Sequence, residues 1–188
     1  LVGVQPPSAV FIAVDVMENV AGDGGALGAP QRVDAAHVAQ QAVPDVLHAV
    51  VRDAIGPSVR AAAGHSLGEF SAYHTAGLFD LAEAARVVRR RGTLMYEQGL
   101  ARPGAMAAVI GVLSVPIAGI CAQASADSGM VVPANFNSTE QVVISGEVAG
   151  VERAMELCKA AGAKRCLPLP VSGAFHSPLM QAAAAGLD

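Results

Sequence analysis

Charged residues are scarce in this chain, and lysine is scarcer still. Only 15% of its 188 residues are charged, 53% are hydrophobic, and the formal net charge is −4. Ten of the twelve basic residues are arginines, since Lys159 and Lys164 are the only lysines. The sequence has no basic stripe, which argues against a nucleic-acid partner. The length and the hydrophobic fraction instead predict one globular domain.

Cysteine is also rare, and its spacing argues against two kinds of site. Cys121, Cys158 and Cys166 form no CxxC pair, so neither a zinc site nor a redox dithiol is predicted. We interpret them as small buried residues in a reducing compartment. The apolar run from Ser8 to Val20 has no basic flank and contains two acidic residues, so it fits neither a secretory signal nor a membrane span. These absences predict a soluble, cytoplasmic protein without a metal and without a membrane partner.

The order of extended and helical patterns predicts an α/β fold. The run over 8–20 fits either a strand or a helix, 21–30 is a glycine-rich loop, and 33–56 has helical spacing. A short strand is predicted over 59–63 and a helix over 69–76. Further along, the order becomes βαββαβ, the ferredoxin-like arrangement, which predicts a small subdomain inserted in a larger α/β core. Its elements are strands at 105–112, 130–134, 141–145 and 165–171, and helices at 116–126 and 148–161.

A GxSxG pattern lies between the predicted strand at 59–63 and the helix that follows it, which is the context of a nucleophile elbow. Its central Ser66 would lie at a helix N-terminus, where N–H groups and the helix dipole favour negative charge. The N–H of Leu67 is a candidate oxyanion donor, and His65 is a candidate pocket residue. Glycines are expected on both sides because the turn is sharp. The alternative is a glycine-rich turn without chemistry.

A second helix is predicted from Asp80 to about Glu97, with Gly99 beyond its end. Asp80 is a good N-cap residue, and Glu83 is placed as in a capping box. At about 100° per residue, Arg91 falls in the middle of this helix's apolar stripe. The stripe consists of Ala84, Val87, Val88, Leu94 and Met95, whereas Arg86, Arg89 and Arg90 lie toward water.

Arg91 therefore has the properties of an anion-binding residue. A buried guanidinium without an anion is costly, and its planar fork can bind a carboxylate through two hydrogen bonds. The anion could be a ligand or a protein carboxylate. In a third interpretation the side chain reaches the surface along its aliphatic stem.

His176 is the best candidate for a base that activates Ser66. Ser177 and Pro178 fit an N-cap and a first-turn proline, so His176 lies between a strand end and a helix start, where active sites of α/β sheets gather. The alternative is a histidine that only packs. A triad would need an acid, but the available acids all fall in the predicted subdomain, so a Ser–His dyad is the simpler hypothesis. Those acids are Asp127, Glu140, Glu147, Glu152 and Glu156.

Five segments are informative when they are taken together, in their order and at their spacing. They are GHSLGE at 64–69, RRG at 90–92 with Met95, NFNS at 135–138, QVVISG at 141–146 and AAGAKRCLPLPVSGAFHSPLM at 160–180. This set resembles the malonyl-CoA:acyl carrier protein transacylases, acyltransferases of fatty acid and polyketide synthesis. The resemblance extends from about Pro44 to Asp188.

The resemblance implies a transferase that moves a malonyl group from malonyl-CoA to the phosphopantetheine thiol of acyl carrier protein. Coenzyme A is part of the substrate, and no cofactor is implied. It implies that Ser66 is acylated, that His176 is its base and that Arg91 binds the malonyl carboxylate. The remaining pocket candidates are His65, Leu67, Asn135, Asn137 and Phe175.

Three of these candidates, Asn135, Asn137 and Phe175, depend on details of the resemblance. It places the NFNS segment in a turn that lines the cleft. Phe175 would leave little room for the methyl group of methylmalonyl, although one methyl group discriminates only modestly.

The basic residues Lys159, Lys164 and Arg165 are candidates for docking an acidic carrier protein, or simply form a solvated helix end.

The fold implied by the resemblance is an α/β-hydrolase-like parallel-sheet core with an inserted ferredoxin-like subdomain. We assign 1–103 to the core, 104–171 to the subdomain and 172–188 to the return to the core. The resemblance also implies a chain incomplete at both ends, since it has no match to the family's Gly-Gln-Gly turn, a source of oxyanion N–H, or to a later glutamine. An inactive fragment is therefore one expectation. The alternatives are a polyketide synthase acyltransferase domain, a serine hydrolase or thioesterase-like protein, and a non-catalytic binding or scaffold fragment.

Overall fold

A computed structural model describes residues 10–14 and 59–187 of the chain. The helix predicted over 33–56 and the glycine-rich loop lie outside the described residues. The described residues form two compact units, 10–14 with 59–90 and 91–187. The predicted division into 1–103, 104–171 and 172–188 stays a prediction.

The first unit contains a parallel pair of strands followed by a helix. Strand β1 (Val10–Val14) pairs with β2 (Val59–Gly64), in a register that ends at Val14 opposite Gly64. Of the two alternatives for the run over 8–20, the strand is therefore confirmed for 10–14. Helix α1 (Gly68–Thr75) follows β2 after a three-residue turn. The predicted strand and helix on either side of the GxSxG pattern are confirmed.

Helix α2 (Leu81–Ala101) begins at the predicted capping box. The Asp80 amide donates to Glu83 Oε2 at 2.9 Å, and the Glu83 amide donates to Asp80 Oδ1 at 2.7 Å. The predicted end near Glu97 is wrong, because the helix continues through Gly99 to Ala101. Gly99 is required by packing rather than by a helix stop, since a Cβ there would overlap the Ser172 carbonyl oxygen. No helix among the described residues is long and apolar enough to cross a membrane.

The second unit contains a four-stranded antiparallel sheet in the order β4-β5-β3-β6. Two helices connect the strands, and the predicted βαββαβ order is confirmed. A 3-10 helix and a short α-helix end the described chain. The elements are β3 (Ala105–Ile110), α3 (Ile117–Asp127), β4 (Val131–Ser138), β5 (Gln141–Gly146), α4 (Val148–Ala160), β6 (Arg165–Pro168), the 3-10 helix (Pro178–Met180) and α5 (Gln181–Ala185).

Three strand ends differ from the prediction by two residues or more. Strand β3 ends at Ile110 and not at 112, where Gly111 leaves the extended conformation with a φ of 118°. Strand β4 continues to Ser138, so the NFNS segment is extended and not a turn. The reason is the ladder with β5, which persists to Ser138 opposite Gln141 and leaves only two residues for the turn. Strand β6 ends at Pro168 and not at Val171, because prolines at 168 and 170 cannot donate to a ladder.

One face of this sheet is covered by α3 and α4 and forms the main core, which includes all three cysteines. The cysteines are buried and unpaired, as predicted. Burial raises the pKa of Cys121 to about 11. Burial, together with the neighbouring Cys166 and Cys121, raises the pKa of Cys158 to about 12. Because the thiolate is the reactive form, these thiols behave as small apolar groups near neutral pH.

The opposite face of the sheet carries a smaller cluster of Met106, Ala108 and Val143. The chain that follows β6 packs on this cluster through Leu169, Val171 and Phe175, and Ala134 of β4 also contacts it. The segment that leads to His176 is therefore anchored on the sheet face that the helices leave open.

Ser145 is an exception among the buried residues of β5. It is 0% exposed, and its hydroxyl finds no hydrogen-bond partner among the described residues. Burying an unsatisfied polar group costs about 1–3 kcal/mol. The hydroxyl of Ser125 is different, since it donates to the Val131 carbonyl and accepts from the Val131 amide, both at 3.0 Å.

We predict that Ser145→Ala leaves the free energy of unfolding unchanged or raises it by about 1 kcal/mol, because the substitution removes a hydroxyl without a partner. Ser125→Ala is the matched control in the same unit, and it should lower the free energy of unfolding by about 1 kcal/mol or more. Urea unfolding measures both. An equal loss of stability in the two variants would contradict the prediction.

Candidate active site

Ser66 lies in the turn between β2 and α1 with a φ of 52°. This left-handed conformation is uncommon for a residue other than glycine and costs about 1–3 kcal/mol. Such strain is the feature that a nucleophile elbow uses to push its serine out of the strand–helix turn. The geometry of Ser66 agrees with that of an elbow.

Gly64 lies where β2 and α1 approach most closely. A Cβ at Gly64 would overlap the backbone carbonyl of Gly68 and lie 2.5 Å from the Glu69 nitrogen. No side chain fits there unless the strand and the helix move apart. The predicted need for glycine before the serine is confirmed at this position.

The backbone hydrogen bonds of the elbow begin α1 directly after Ser66. The amides of Gly68 and Glu69 donate to the carbonyls of His65 and Ser66 at 2.9 and 3.2 Å. Leu67 is the N-cap residue of α1. Its amide, the candidate oxyanion donor, thus lies at the helix N-terminus as predicted.

Arg91 lies on the apolar side of α2, as predicted. Ala84 and Val88 of the stripe are buried, at 2% and 6% exposure, and Arg91 itself is half-buried. The other three arginines of this helix are exposed. They are Arg86, Arg89 and Arg90.

His176 has the same unusual backbone conformation as Ser66, with a φ of 58°. It is exposed, in the turn between β6 and the 3-10 helix. Ser177 caps that helix, since its hydroxyl accepts from the Leu179 amide at 3.2 Å and donates to the Ala174 carbonyl at 2.6 Å. Pro178 occupies the first turn. The predicted N-cap and first-turn proline are both confirmed.

The residues around His176 are packed although the imidazole is exposed. Ala174 is 0% exposed. A Cβ at Gly104 would lie 2.5 Å from the Ala174 Cβ and 2.7 Å from the Gly146 carbonyl oxygen, so only glycine allows this contact. The turn is thus anchored in the second unit on both sides of the exposed His176.

The predicted site residues divide between the two units. Ser66, with its neighbours His65 and Leu67, belongs to the first unit. The remaining predicted site residues belong to the second unit. They are Arg91, Asn135, Asn137, Phe175 and His176. Asn135 is half-buried in β4, and Asn137 is exposed at an irregularity of the ladder with β5.

Most of the acids that could complete a triad have partners elsewhere. Asp127 and Glu156 bind Arg153 at 3.0 and 3.1 Å, and Glu140 lies 3.5 Å from Lys164. Glu147 accepts the Met130 amide at 3.1 Å. In residues 10–14 and 59–187, no group of three His, Cys, Asp or Glu side chains could hold a metal ion.

Of the three candidate docking residues, Lys164 forms an ion pair with Glu140. Lys159 and Arg165 are exposed, in the last turn of α4 and at the start of β6.

Comparison with known families decides the class of this protein. The profile of the acyl transferase domain family matches residues 10–188. The chain belongs to this family. The mixed α/β fold of this acyl transferase family member, with its antiparallel sheet, is that of the solved malonyltransferase structures described next.

The curated malonyl CoA-acyl carrier protein transacylase of Escherichia coli (strain K12) is 54% identical over 122 residues, which are 65% of this chain and 39% of that protein. The crystal structure of an acyl carrier protein S-malonyltransferase from Vibrio cholerae has a TM-score of 0.71 and 44% identity, over 81% of this chain and 49% of that chain. A malonyl-transacylase in complex with its type II PKS acyl-carrier protein has a TM-score of 0.73 and 43% identity, over 81% and 49%. The chain therefore spans half or less of these relatives.

Gly64→Ala should lower the free energy of unfolding by about 2 kcal/mol or more, because the added Cβ forces β2 and α1 apart. Gly119→Ala is the matched control. Gly119 lies in α3 with nothing within 4 Å of an added Cβ, so alanine should stabilise by about 0.5–1 kcal/mol through helix propensity. Denaturant unfolding compares the two. A neutral Gly64→Ala would contradict the tight elbow described here.

Proposed function

We propose that this chain carries the catalytic residues of a malonyl-CoA:acyl carrier protein transacylase. The observation that carries the proposal is Ser66 in a left-handed conformation between a strand and a helix, in a chain of the acyl transferase family. Its relatives are named malonyl CoA-acyl carrier protein transacylases, which supports malonyl as the transferred group. The complex of a similar transacylase with an acyl-carrier protein supports the acceptor.

In the first half of the proposed reaction, Ser66 becomes acylated. Its hydroxyl oxygen attacks the thioester carbonyl of malonyl-CoA while His176 takes the hydroxyl proton. The Leu67 amide stabilises the oxyanion. The carbon–sulfur bond then breaks, and the departing coenzyme A sulfur receives the proton from His176.

In the second half, the phosphopantetheine thiol of acyl carrier protein attacks the malonyl-serine ester. His176 takes the thiol proton and returns it to the Ser66 oxygen as the ester bond breaks. No electrons are gained or lost, so the proposal requires no cofactor. Arg91 holds the malonyl carboxylate through two charge-assisted hydrogen bonds in both halves.

A Ser–His dyad remains the simpler form of this mechanism. Four of the five candidate acids bind other groups of the second unit, which favours the dyad. These four are Asp127, Glu140, Glu147 and Glu156. His65, Leu67, Asn135, Asn137 and Phe175 stay proposed pocket residues.

We also propose the finer description of the fold, an α/β-hydrolase-like core with an inserted ferredoxin-like subdomain. The parallel β1–β2 pair with an elbow after β2 supports the core. The βαββαβ order with strands arranged β4-β5-β3-β6 supports the subdomain. The buried, unpaired thiols support a reducing compartment such as the cytoplasm.

Fatty acid synthesis is the first candidate pathway. The similarity to a transacylase that binds a type II PKS acyl-carrier protein makes polyketide synthesis the second. Purified fatty-acid and polyketide carrier proteins, offered as competing acceptors, distinguish the two pathways.

Brief incubation with malonyl-CoA should add one malonyl group to the wild-type chain and none to Ser66→Ala, because the variant lacks the attacking oxygen. Intact-mass spectrometry makes the measurement. Ser128→Ala, which removes an exposed serine, should still be acylated. An adduct on Ser66→Ala would refute the proposed nucleophile, whereas no adduct on a wild-type chain that melts cooperatively would show that the folded chain by itself does not carry the proposed activity.

Arg91→Ala should lower kcat/KM for malonyl-CoA about a hundredfold or more and remove the preference for malonyl-CoA over acetyl-CoA. The reason is that two charge-assisted hydrogen bonds to the carboxylate are lost. Arg90→Ala, one residue earlier and exposed, is the matched control and should keep the preference. If Arg91→Ala still prefers malonyl-CoA, another residue binds the carboxylate.

A further inference from the structure

Gln98 of α2 makes a long-range contact with the chain that follows His176. Its Nε2 donates to the Leu179 carbonyl at 2.9 Å across 81 residues of sequence. Leu179 is buried, with 3% exposure, and belongs to the 3-10 helix that begins two residues after His176. The contact therefore attaches α2 to the C-terminal side of the His176 turn.

The next residue of α2 contacts the N-terminal side of the same turn. The Gly99 Cα lies against Gly173, and a Cβ on Gly99 would overlap the Ser172 carbonyl oxygen. Gln98 and Gly99 thus contact the chain both before and after His176. The imidazole between these two contacts is exposed.

The turn needs such external support because His176 has a φ of 58°. A residue keeps this strained backbone conformation only where several contacts with the surrounding structure fix it. Within the turn, the Ser177 hydroxyl supplies two hydrogen bonds, but these connect only neighbouring residues. The Gln98 amide connects the turn to a long helix.

The same side of that helix carries Arg91. Arg91 and Gln98 are seven positions apart in α2, which places them two turns apart on one side of the helix and about 10 Å apart along its axis. Both residues belong to the second unit. The helix can therefore fix the position of the His176 turn relative to the arginine.

We infer that Gln98 is a positioning residue, which holds the His176 turn through its hydrogen bond to the Leu179 carbonyl. The inference rests on the proposed function for the role of His176 as the base. Gln98 acts through the turn and touches neither substrate nor the reacting atoms.

Two variants separate the hydrogen bond from the shape of the side chain. Gln98→Glu keeps the shape but loses the N–H donor at neutral pH, whereas Gln98→Lys changes the shape and keeps a donor of sufficient reach. We expect the saturating rate of Ser66 acylation by malonyl-CoA to fall about ten- to a hundredfold in Gln98→Glu, because misplaced catalytic groups lose rate on this scale. Gln98→Lys should retain most of the rate. The half-saturating malonyl-CoA concentration should stay within about twofold of wild type in both variants, because Arg91 is retained.

Gln123→Glu and Gln123→Lys are the matched controls. Gln123 is exposed on α3, so these two variants make the same charge changes without affecting the hydrogen bond to Leu179. Both should acylate at the wild-type rate. A smaller loss in Gln98→Glu than in Gln98→Lys would indicate that only shape matters and would overturn the inference. Equal rates in all four variants, or unfolding of both Gln98 variants, would overturn it too.

Hydrogen exchange supplies a readout that does not depend on activity. The Leu179 and Met180 amides, which bond to Ser177, should exchange about tenfold faster in Gln98→Glu than in wild type or in Gln123→Glu, because the turn opens more often. Unchanged exchange would overturn the inference. If the wild-type chain fails to acylate, the proposed function fails, and the exchange rates alone decide whether Gln98 holds the turn.

Discussion

Left-handed backbone at two residues that are not glycine is the constraint on which this structure depends. Among the described residues, only Ser66 and His176 combine a side chain with a positive φ. Each such residue costs about 1–3 kcal/mol and persists only where its surroundings leave no alternative. The same two residues are the proposed nucleophile and the proposed base. The strain and the chemistry therefore coincide.

Close backbone contacts at glycines provide the surroundings that hold both conformations. At the elbow, Gly64 lets the end of β2 contact the start of α1. At the histidine turn, Gly99 lets α2 contact Ser172, and Gly104 makes room for the buried Ala174. A methyl group at any of the three glycines would separate backbones that must touch. The turns of both reactive residues thus have close-packed flanks, with Ser66 half-buried and His176 exposed.

The two faces of the sheet in the second unit pack against different parts of the chain. The face under α3 and α4 forms a core that includes three cysteines, whose raised pKa values keep them inert near neutral pH. The opposite face holds the segment from Leu169 to Phe175. The helix-covered core and the segment that leads to His176 therefore lie on opposite faces of one sheet.

Local signals determined much of this protein from the sequence alone. The GxSxG elbow, the Asp80–Glu83 capping box, the stripe around Arg91 and the Ser177 cap were all predicted, because each involves residues within a few turns of chain. The resemblance carried by longer motifs predicted the acyl transferase family that the profile confirmed. Tertiary structure alone decided the rest. In the sequence Gly99 is typical of a helix stop, but in the structure it lies inside α2 because Ser172 packs against it. The NFNS segment was expected to be a turn, but its pairing with β5 makes it extended. Gln98 has no sequence signal, because its hydrogen-bond partner Leu179 lies 81 residues away.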